Sequence, residues 1–232
     1  MGKNKLKRFA ENETFSNLFQ PPLEEVLNDK FELKGKWGNS YFKNINPLVL
    51  ELGCGKGEYT VSLAGMNPQK NFIGIDIKGA RIWRGAKTAL ENKLNNVAFV
   101  RTRIEHICSI FAQNEVDELW ITFPDPQERE IKAKKRLTSS RFLNLYSGFL
   151  KPNAIVHLKT DNRQLFDYTK ALVEQNKFNV LICTTDLYAN FTNDPVLGIK
   201  TFYEQQFLGE GLPITYLRFV LNHPGPYHEP IR

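Results

Sequence analysis

The sequence has little cysteine, and what it has is scattered. Cys54, Cys108 and Cys183 form no C-x-x-C pair and no Cys/His set at ligand spacing, which argues against a structural zinc site and against a disulfide framework. Flanked by apolar residues, they are expected to be reduced, mostly buried thiols of a cytoplasmic protein. Long apolar runs are also missing. No segment approaches the roughly 18 residues of a spanning helix, so no membrane partner is expected. The start, MGKNKLKRFAENETF, is basic but has no apolar stretch behind it and does not read as a secretory signal. Leu6 stands where a myristoylation signal has Ser or Thr. There is no internal repeat, no low-complexity linker and no clustered metal-ligand set, so the expected metal content is none.

What is present is an ordinary globular composition, 41% hydrophobic and 24% charged. Lys and Arg number 31 against 25 Asp and Glu, a net charge of +6. That excess leaves an anionic partner and a plain solvated surface both open. Residues 1–46 read as a basic N-terminal arm, with Lys3, Lys5, Lys7 and Arg8, and a lead-in; the arm is either a solvated tail or a grip on RNA. Residues 47–232 read as a single domain. Within it, short apolar runs recur at 48–52, 71–77, 97–102, 117–123, 154–160, 178–185 and 214–221, rich in Val, Ile, Phe and Leu, as in strands buried on both faces. Helical patterns at 79–94, 138–150 and 162–176 separate several of them. Strand alternating with helix predicts an α/β fold with a doubly wound, mostly parallel sheet. The last two strands lack a clear crossover between them, so an antiparallel final strand is expected.

The first chemical signal is Leu48-Val-Leu-Glu51-Leu-Gly53-Cys-Gly55-Lys-Gly57. A buried strand enters a glycine turn, which lets a ligand approach the backbone. The spacing is G-x-G-x-G and not the G-x-G-x-x-G of a dinucleotide site. Glu51 at the mouth of the turn would repel a pyrophosphate and attract the amino group and sulfonium of S-adenosylmethionine. Asp76, ending the second strand, is placed to accept from ribose hydroxyls.

Phe123-Pro-Asp125-Pro126 follows the fourth strand, where two prolines stiffen the loop around one carboxylate. The run from Arg129 to Arg136 comes next, and its cations Lys134, Lys135 and Arg136 are candidates for RNA phosphates or for a solvated face. Lys159-Thr-Asp161-Asn162 ends the fifth strand and can also be read as a helix cap. Thr201-Phe-Tyr203-Glu204 lies in a polar stretch near the C-terminus.

Taken in this order, the glycine turn, F-P-D-P, K-R-L-T-S, K-T-D-N and T-x-Y-E resemble the bacterial tRNA (guanine-N7-)-methyltransferases, over nearly the whole chain, from Val49 to Phe219. The resemblance implies a Rossmann-like class I methyltransferase fold with a seven-stranded sheet, S-adenosylmethionine as cofactor and tRNA as partner, in a monomer or homodimer. It implies methylation of N7 of a variable-loop guanine, position 46. By the same resemblance Glu51, Gly53, Gly55 and Asp76 meet the cofactor, Asp125 meets both methyl donor and guanine, and Arg129, Asp161, Thr201, Tyr203 and Glu204 meet the tRNA. The sequence departs from the family pattern at Gln127, where many relatives have Trp, at Arg129 in place of Lys, and at Ile131-Lys132 in place of Arg-His. Thr102-Arg103-Ile104 replaces a Gly-Asp-Ala, so adenine recognition falls to backbone groups or another side chain.

N7 of guanine is an unprotonated lone pair, so the reaction needs no general base. A fixed carboxylate at the base's N1–H and amino edge would stabilise the developing purine cation, and Asp125 and Asp161 are the candidates. His157, inside an apolar run, reads as a core histidine. Two other functions stay open: an RNA or protein N-methyltransferase of another kind, or a non-catalytic RNA-binding scaffold. Donor binding would separate the second from an enzyme.

Overall fold

The computed structural model describes residues 3–191 and 193–231, and the chain divides into two compact units, Met1–Ala112 and Gln113–Arg232. Met1, Gly2 and the Lys3 side chain, part of the expected basic arm, lie outside the described parts.

In the first unit α1 (Lys3–Asn12), β1 (Leu18–Phe19) and α2 (Leu23–Leu27) precede β2 (Leu48–Leu52), α3 (Glu58–Met66), β3 (Asn71–Asp76), α4 (Gly79–Glu91) and β4 (Val97–Arg101). The strands are parallel in the order β1-β4-β3-β2. Every residue of β2 and β3 is buried, which is why their sequences are apolar without alternation. Phe99 of β4 is fully buried, and its ring fills the space that glycines leave. A Cβ at Gly57, Gly74 or Gly85 would meet that ring at 2.6 to 2.8 Å.

The lead-in is structured. Lys3–Asn12 is a helix docked on α4 and not a loose arm. The Asn12 amide donates to the Gly79 carbonyl at 3.0 Å and the Trp83 indole N–H to Glu11 at 2.6 Å. Further along, Trp37 is fully buried, donates to the Ile110 carbonyl at 3.1 Å and gathers the rings of Phe19, Phe31, Tyr41, Phe42 and Phe111.

The second unit runs β5 (Val116–Thr122), α5 (Ser140–Tyr146), β6 (Leu150–Thr160), α6 (Arg163–Gln175), β7 (Asn179–Thr184), α7 (Leu187–Asn190), α8 (Phe202–Gly209) and β8 (Thr215–Val220). Its strand order is β5-β6-β8-β7; β5 and β6 are parallel, and β8 is antiparallel to both neighbours. The last strand is therefore the antiparallel one, as expected. Among the described residues each unit has four strands, one more in total than the seven expected. The addition is β1, two residues with no period to read.

β7 departs from the reading of strands buried on both faces. Val180 and Leu181 are exposed, because among the described residues β7 ends the strand order and pairs on one side only, with β8. Cys183 of β7 is exposed with them, Cys108 in the 104–109 turn is half-buried, and Cys54 is the buried thiol of the three. His157 is a core residue, stacked on Trp120 with ring centroids 3.7 Å apart and bonded through Nδ1 to the Tyr216 hydroxyl at 2.7 Å.

Candidate active site

In the first unit the turn between β2 and α3 holds Gly53 and Gly55 at φ +71° and +57°, in the left-handed region that favours glycine. A Cβ at Gly53 would meet nothing within 4 Å, and one at Gly55 only the Gly53 carbonyl at 4.0 Å. The face of the turn is an open cradle. Gly57 differs: a Cβ there would strike Phe99, so it serves packing.

Both acids that the sequence assigns to the cofactor hold this turn. Glu51 is buried, and its Oε2 accepts from the Thr60 backbone N–H at 2.9 Å and from the Thr60 hydroxyl. Thr60 is the third residue of α3, so Glu51 caps that helix from the neighbouring strand and meets its positive end. Asp76 accepts from the Gly55 N–H at 2.9 Å through one oxygen and from the Lys78 N–H at 2.7 Å through the other. A carboxylate oxygen accepts two bonds, so Asp76 retains capacity for ribose hydroxyls. The open glycine face and this remaining acceptor capacity fit S-adenosylmethionine. Cys54, between the glycines, is no nucleophile: burial first, then Glu51 and Asp76, push its thiol well above the usual range. Past β4, Thr102 is buried and Arg103 exposed, with no acid beside them in sequence. A cavity of about 280 Å³ opens there, lined by Ile77, Thr102 and Arg103 together with Gln20 and Pro21 of the lead-in, a contribution that the strand and motif pattern did not signal.

In the second unit the F-P-D-P loop leaves β5 with Phe123 at φ +46° and Gln127 at +47°. Two non-glycine residues in the left-handed region, flanking two prolines, fix the loop at some cost in strain. Asp125 is exposed between them, and one of its oxygens accepts from the Gln127 N–H at 3.1 Å. The Phe123 N–H donates to the Lys159 carbonyl at 2.8 Å, tying the loop to β6. Thr122 pairs with Lys159 in register, so the Asp125 loop and Asp161 leave neighbouring strands at the same end. Asn162 caps α6, accepting from the Leu165 N–H at 2.8 Å, while Thr160 accepts from the Asn162 N–H. The cap reading of this motif thus holds for Asn162. Asp161 is half-buried; burial pushes its carboxyl up, with repulsion from Glu210 adding to it.

The T-x-Y-E segment behaves differently from its expected contact with substrate. Thr201 and Glu204 form a reciprocal capping box at the start of α8. Glu204 is fully buried, accepting from the Lys159 ammonium at 2.8 Å and the Tyr188 hydroxyl at 2.5 Å. Tyr203 is the exposed member of the three. Lys159 was not among the sequence-derived site residues, although a lysine inside the apolar run AIVHLKT implies a buried partner.

Arg136, a candidate phosphate contact, requires a correction. It is 2% exposed, lies over the Tyr168 ring at 4.3 Å and donates to the Pro126 and Glu128 carbonyls, so it braces the Asp125 loop from beneath. Arg129, Lys134 and Lys135 are exposed. Lys134 lines a groove of about 1110 Å³ with Arg163 and Gln164. Among the described residues no group of three or more His, Cys, Asp and Glu side chains is arranged to hold a metal ion.

Residues 45–217 match the protein-family model described as "Putative methyltransferase". The chain is 58% identical over 218 residues to a tRNA (guanine-N(7)-)-methyltransferase of Christiangramia forsetii, covering 94% of this chain and 97% of the relative. It is 52% identical over 230 residues to the one of Bacteroides fragilis, covering 99% and 90%. Among solved structures it resembles the 16S rRNA methyltransferase KamB, with a TM-score of 0.58 at 14% identity over 75% of this chain and 87% of that one. It also resembles the 16S rRNA (adenine(1408)-N(1))-methyltransferase from Catenulisporales acidiphilia, with a TM-score of 0.55 at 14% identity over 88% and 95%. The two structural likenesses are of fold.

Proposed function

Because the chain belongs to the tRNA (guanine-N7-)-methyltransferase family, we propose that it methylates N7 of the variable-loop guanine at position 46 of tRNA, in the cytoplasm, as a monomer or homodimer. Residues 47–232 act as one methyltransferase domain, and the 1–46 lead-in adds a docked helix to it. When bound, S-adenosylmethionine supplies an electrophilic methyl group on a sulfonium sulfur. Gly53 and Gly55 admit it to the backbone, Asp76 accepts from its ribose, and Glu51 contributes negative charge near its amino group while holding α3 in place.

The observation that carries this reading is the pair Asp125 and Asp161 at the same ends of neighbouring strands, one exposed on a stiffened loop and the other half-buried. Acceptors are what the N1–H and amino edge of guanine requires. As N7 acquires the methyl group the purine becomes cationic, and fixed carboxylates are stronger partners for that cation than for the neutral base. N7 carries no proton, so no residue need act as general base. Arg129 and Tyr203 complete the contacts to the base and its surroundings, Thr201 and Glu204 fix the turn that presents Tyr203, and Lys134 and Lys135 meet phosphates.

The test is nucleoside analysis of unmodified tRNA incubated with the protein and labelled donor. 7-Methylguanosine, mapped to position 46 by nuclease digestion, is the expected product. A different methylated nucleoside would assign the chain another acceptor, and donor binding without transfer to any RNA would leave a scaffold.

A further inference from the structure

One strongly basic feature is not used by this reaction. A groove of about 640 Å³ runs between α1, the start of α3 and α4, and its lining includes Arg8, Lys56, Arg81 and Arg84 around Trp83. Lys5 and Lys7 of α1 are also exposed. The nearby acids Glu11 and Glu91 are engaged within the protein, Glu11 by Trp83 and Lys87 and Glu91 by Arg84; Glu58 is the acid in the lining itself. The Trp83 ring draws in Arg8 at 4.7 Å, Lys87 at 5.1 Å and Arg84 at 5.8 Å. Cation–π attraction offsets part of the repulsion among them. A cluster of like charges still carries a self-repulsion that an anionic partner relieves.

The groove is also rigid. Asn12 and Arg8 donate to the Gly79 and Ala80 carbonyls, and Phe9 lies so close to Gly79 that a Cβ there would meet its ring at 2.6 Å. The α1 backbone and its Arg8 are therefore held in place before any partner arrives, which lowers the ordering cost of binding. α4 has 13 residues, about 20 Å of helix, enough to follow several phosphates of one strand. The Trp83 N–H is already given to Glu11, so the indole itself reads no base edge, and positive charge is the groove's dominant offer.

We propose that the α1–α4 groove is a second tRNA-binding surface, one that takes the sugar-phosphate backbone without reading sequence. It rests on the tRNA reading above and adds to it a surface outside the methyl-transfer residues. Such contacts position the substrate and make affinity depend on salt.

The test is fluorescence-anisotropy titration of an in vitro transcribed tRNA against the full chain and the variant K5Q/K7Q/R81Q, over a range of salt. Expected are a tRNA Kd about tenfold weaker and a plot of log Kd against log salt flatter by about three, with donor Kd by calorimetry unchanged. An unchanged tRNA Kd and slope would overturn the proposal. If the triple variant fails to fold by circular dichroism, R81Q alone decides, with a slope lower by about one expected. Binding to phosphatidylserine vesicles that the triple variant loses, with tRNA affinity intact, would overturn it in favour of a membrane surface. Because tRNA affinity is read without turnover, a protein that binds tRNA through this groove but forms no 7-methylguanosine would sink the reaction reading and leave the groove standing.

Discussion

Lys159 and Glu204 form an ion pair at 2.8 Å in which neither side chain touches solvent. The ammonium also donates to the carbonyls of Leu197 and Ile199 at 3.1 and 3.0 Å. Burial lowers the Lys159 pKa, and the Glu204 carboxylate opposes that shift. The pair joins β6, two residues before Asp161, to the first turn of α8 and to the segment leading into it. It is a latch built from two family motifs, K-T-D-N and T-x-Y-E.

Breaking the latch from one side leaves an uncompensated buried charge. Lys159→Met is expected to destabilise the fold by about 3–5 kcal/mol, read from urea unfolding, while the double variant K159M/E204L recovers most of that loss because no buried charge remains. A double variant destabilised by the sum of the two single variants, K159M and E204L, would show that the two side chains are not coupled.

Neighbouring cations of the basic run should separate cleanly. Arg136→Gln removes the contact with Tyr168 and two carbonyl bonds under the Asp125 loop, so it destabilises the fold by about 1–3 kcal/mol and lowers the melting temperature. The double variant K134Q/K135Q leaves stability unchanged and flattens the salt dependence of tRNA binding by about two. Salt titration and thermal melts of both variants would show the division, and a melt shift in the lysine pair would contradict it.

How much of this was legible in the sequence follows from what each element buries. β2, β3 and β4 announced themselves because burial on both faces demands continuous apolar residues, whereas β7 reads the same in sequence although one of its edges is unpaired. The glycine turn was legible as a turn, but the division of labour within it was not: Gly53 and Gly55 face open space, while Gly57 answers to Phe99, a partner 42 positions away. α1 read as a tail because its lysines dominate the pattern, and the residues that dock it, Phe9, Glu11 and Asn12, meet their partners only in three dimensions. The Thr201-x-x-Glu204 spacing is itself a capping-box signature; the resemblance directed it toward substrate, and the structure uses it to start α8. Arg136 looked like its neighbours until the fold turned it inward.

The raised pKa of Asp161 sets a pH dependence. The fold favours its protonated form, so its stabilising contribution is complete below the ordinary aspartate value of 3.8 and is lost as pH rises through the higher folded value. At neutral pH the ionised group therefore costs stability. Asp161→Asn should unfold at a higher midpoint than the parent at pH 7, and the gap should close toward pH 3, while its turnover on tRNA falls. Its pH–rate profile should also lose an acid limb present in the parent. A variant less stable than the parent at pH 7 would remove Asp161 from this role.

Substitutions in the glycine turn should fail for different reasons. Gly53→Ala meets no neighbour and suffers only its φ of +71°, about 1–2 kcal/mol, but its methyl group enters the cradle and weakens donor binding. Gly57→Ala, at φ +68° and with Phe99 2.6 Å from the new carbon, loses more stability than Gly53→Ala. Paired calorimetric titrations and melts test the contrast; similar melts for the two variants would contradict it.

Asp125 carries the most direct prediction. Its carboxylate accepts from the Gln127 N–H, so an alanine removes both the turn bond and the charge, whereas asparagine keeps a carbonyl acceptor and removes the charge alone. If the charge stabilises the cationic purine, Asp125→Asn should lower kcat by about a hundredfold or more, with donor Kd within about tenfold of the parent, or roughly 1.4 kcal/mol. Asp125→Ala should do the same and also loosen the loop between Phe123 and Gln127, seen as faster amide exchange there. Single-turnover methylation of tRNA with both variants distinguishes the roles. Full activity in the asparagine variant and loss only in the alanine variant would make Asp125 a turn residue, and would leave Asp161 as the carboxylate that meets the guanine.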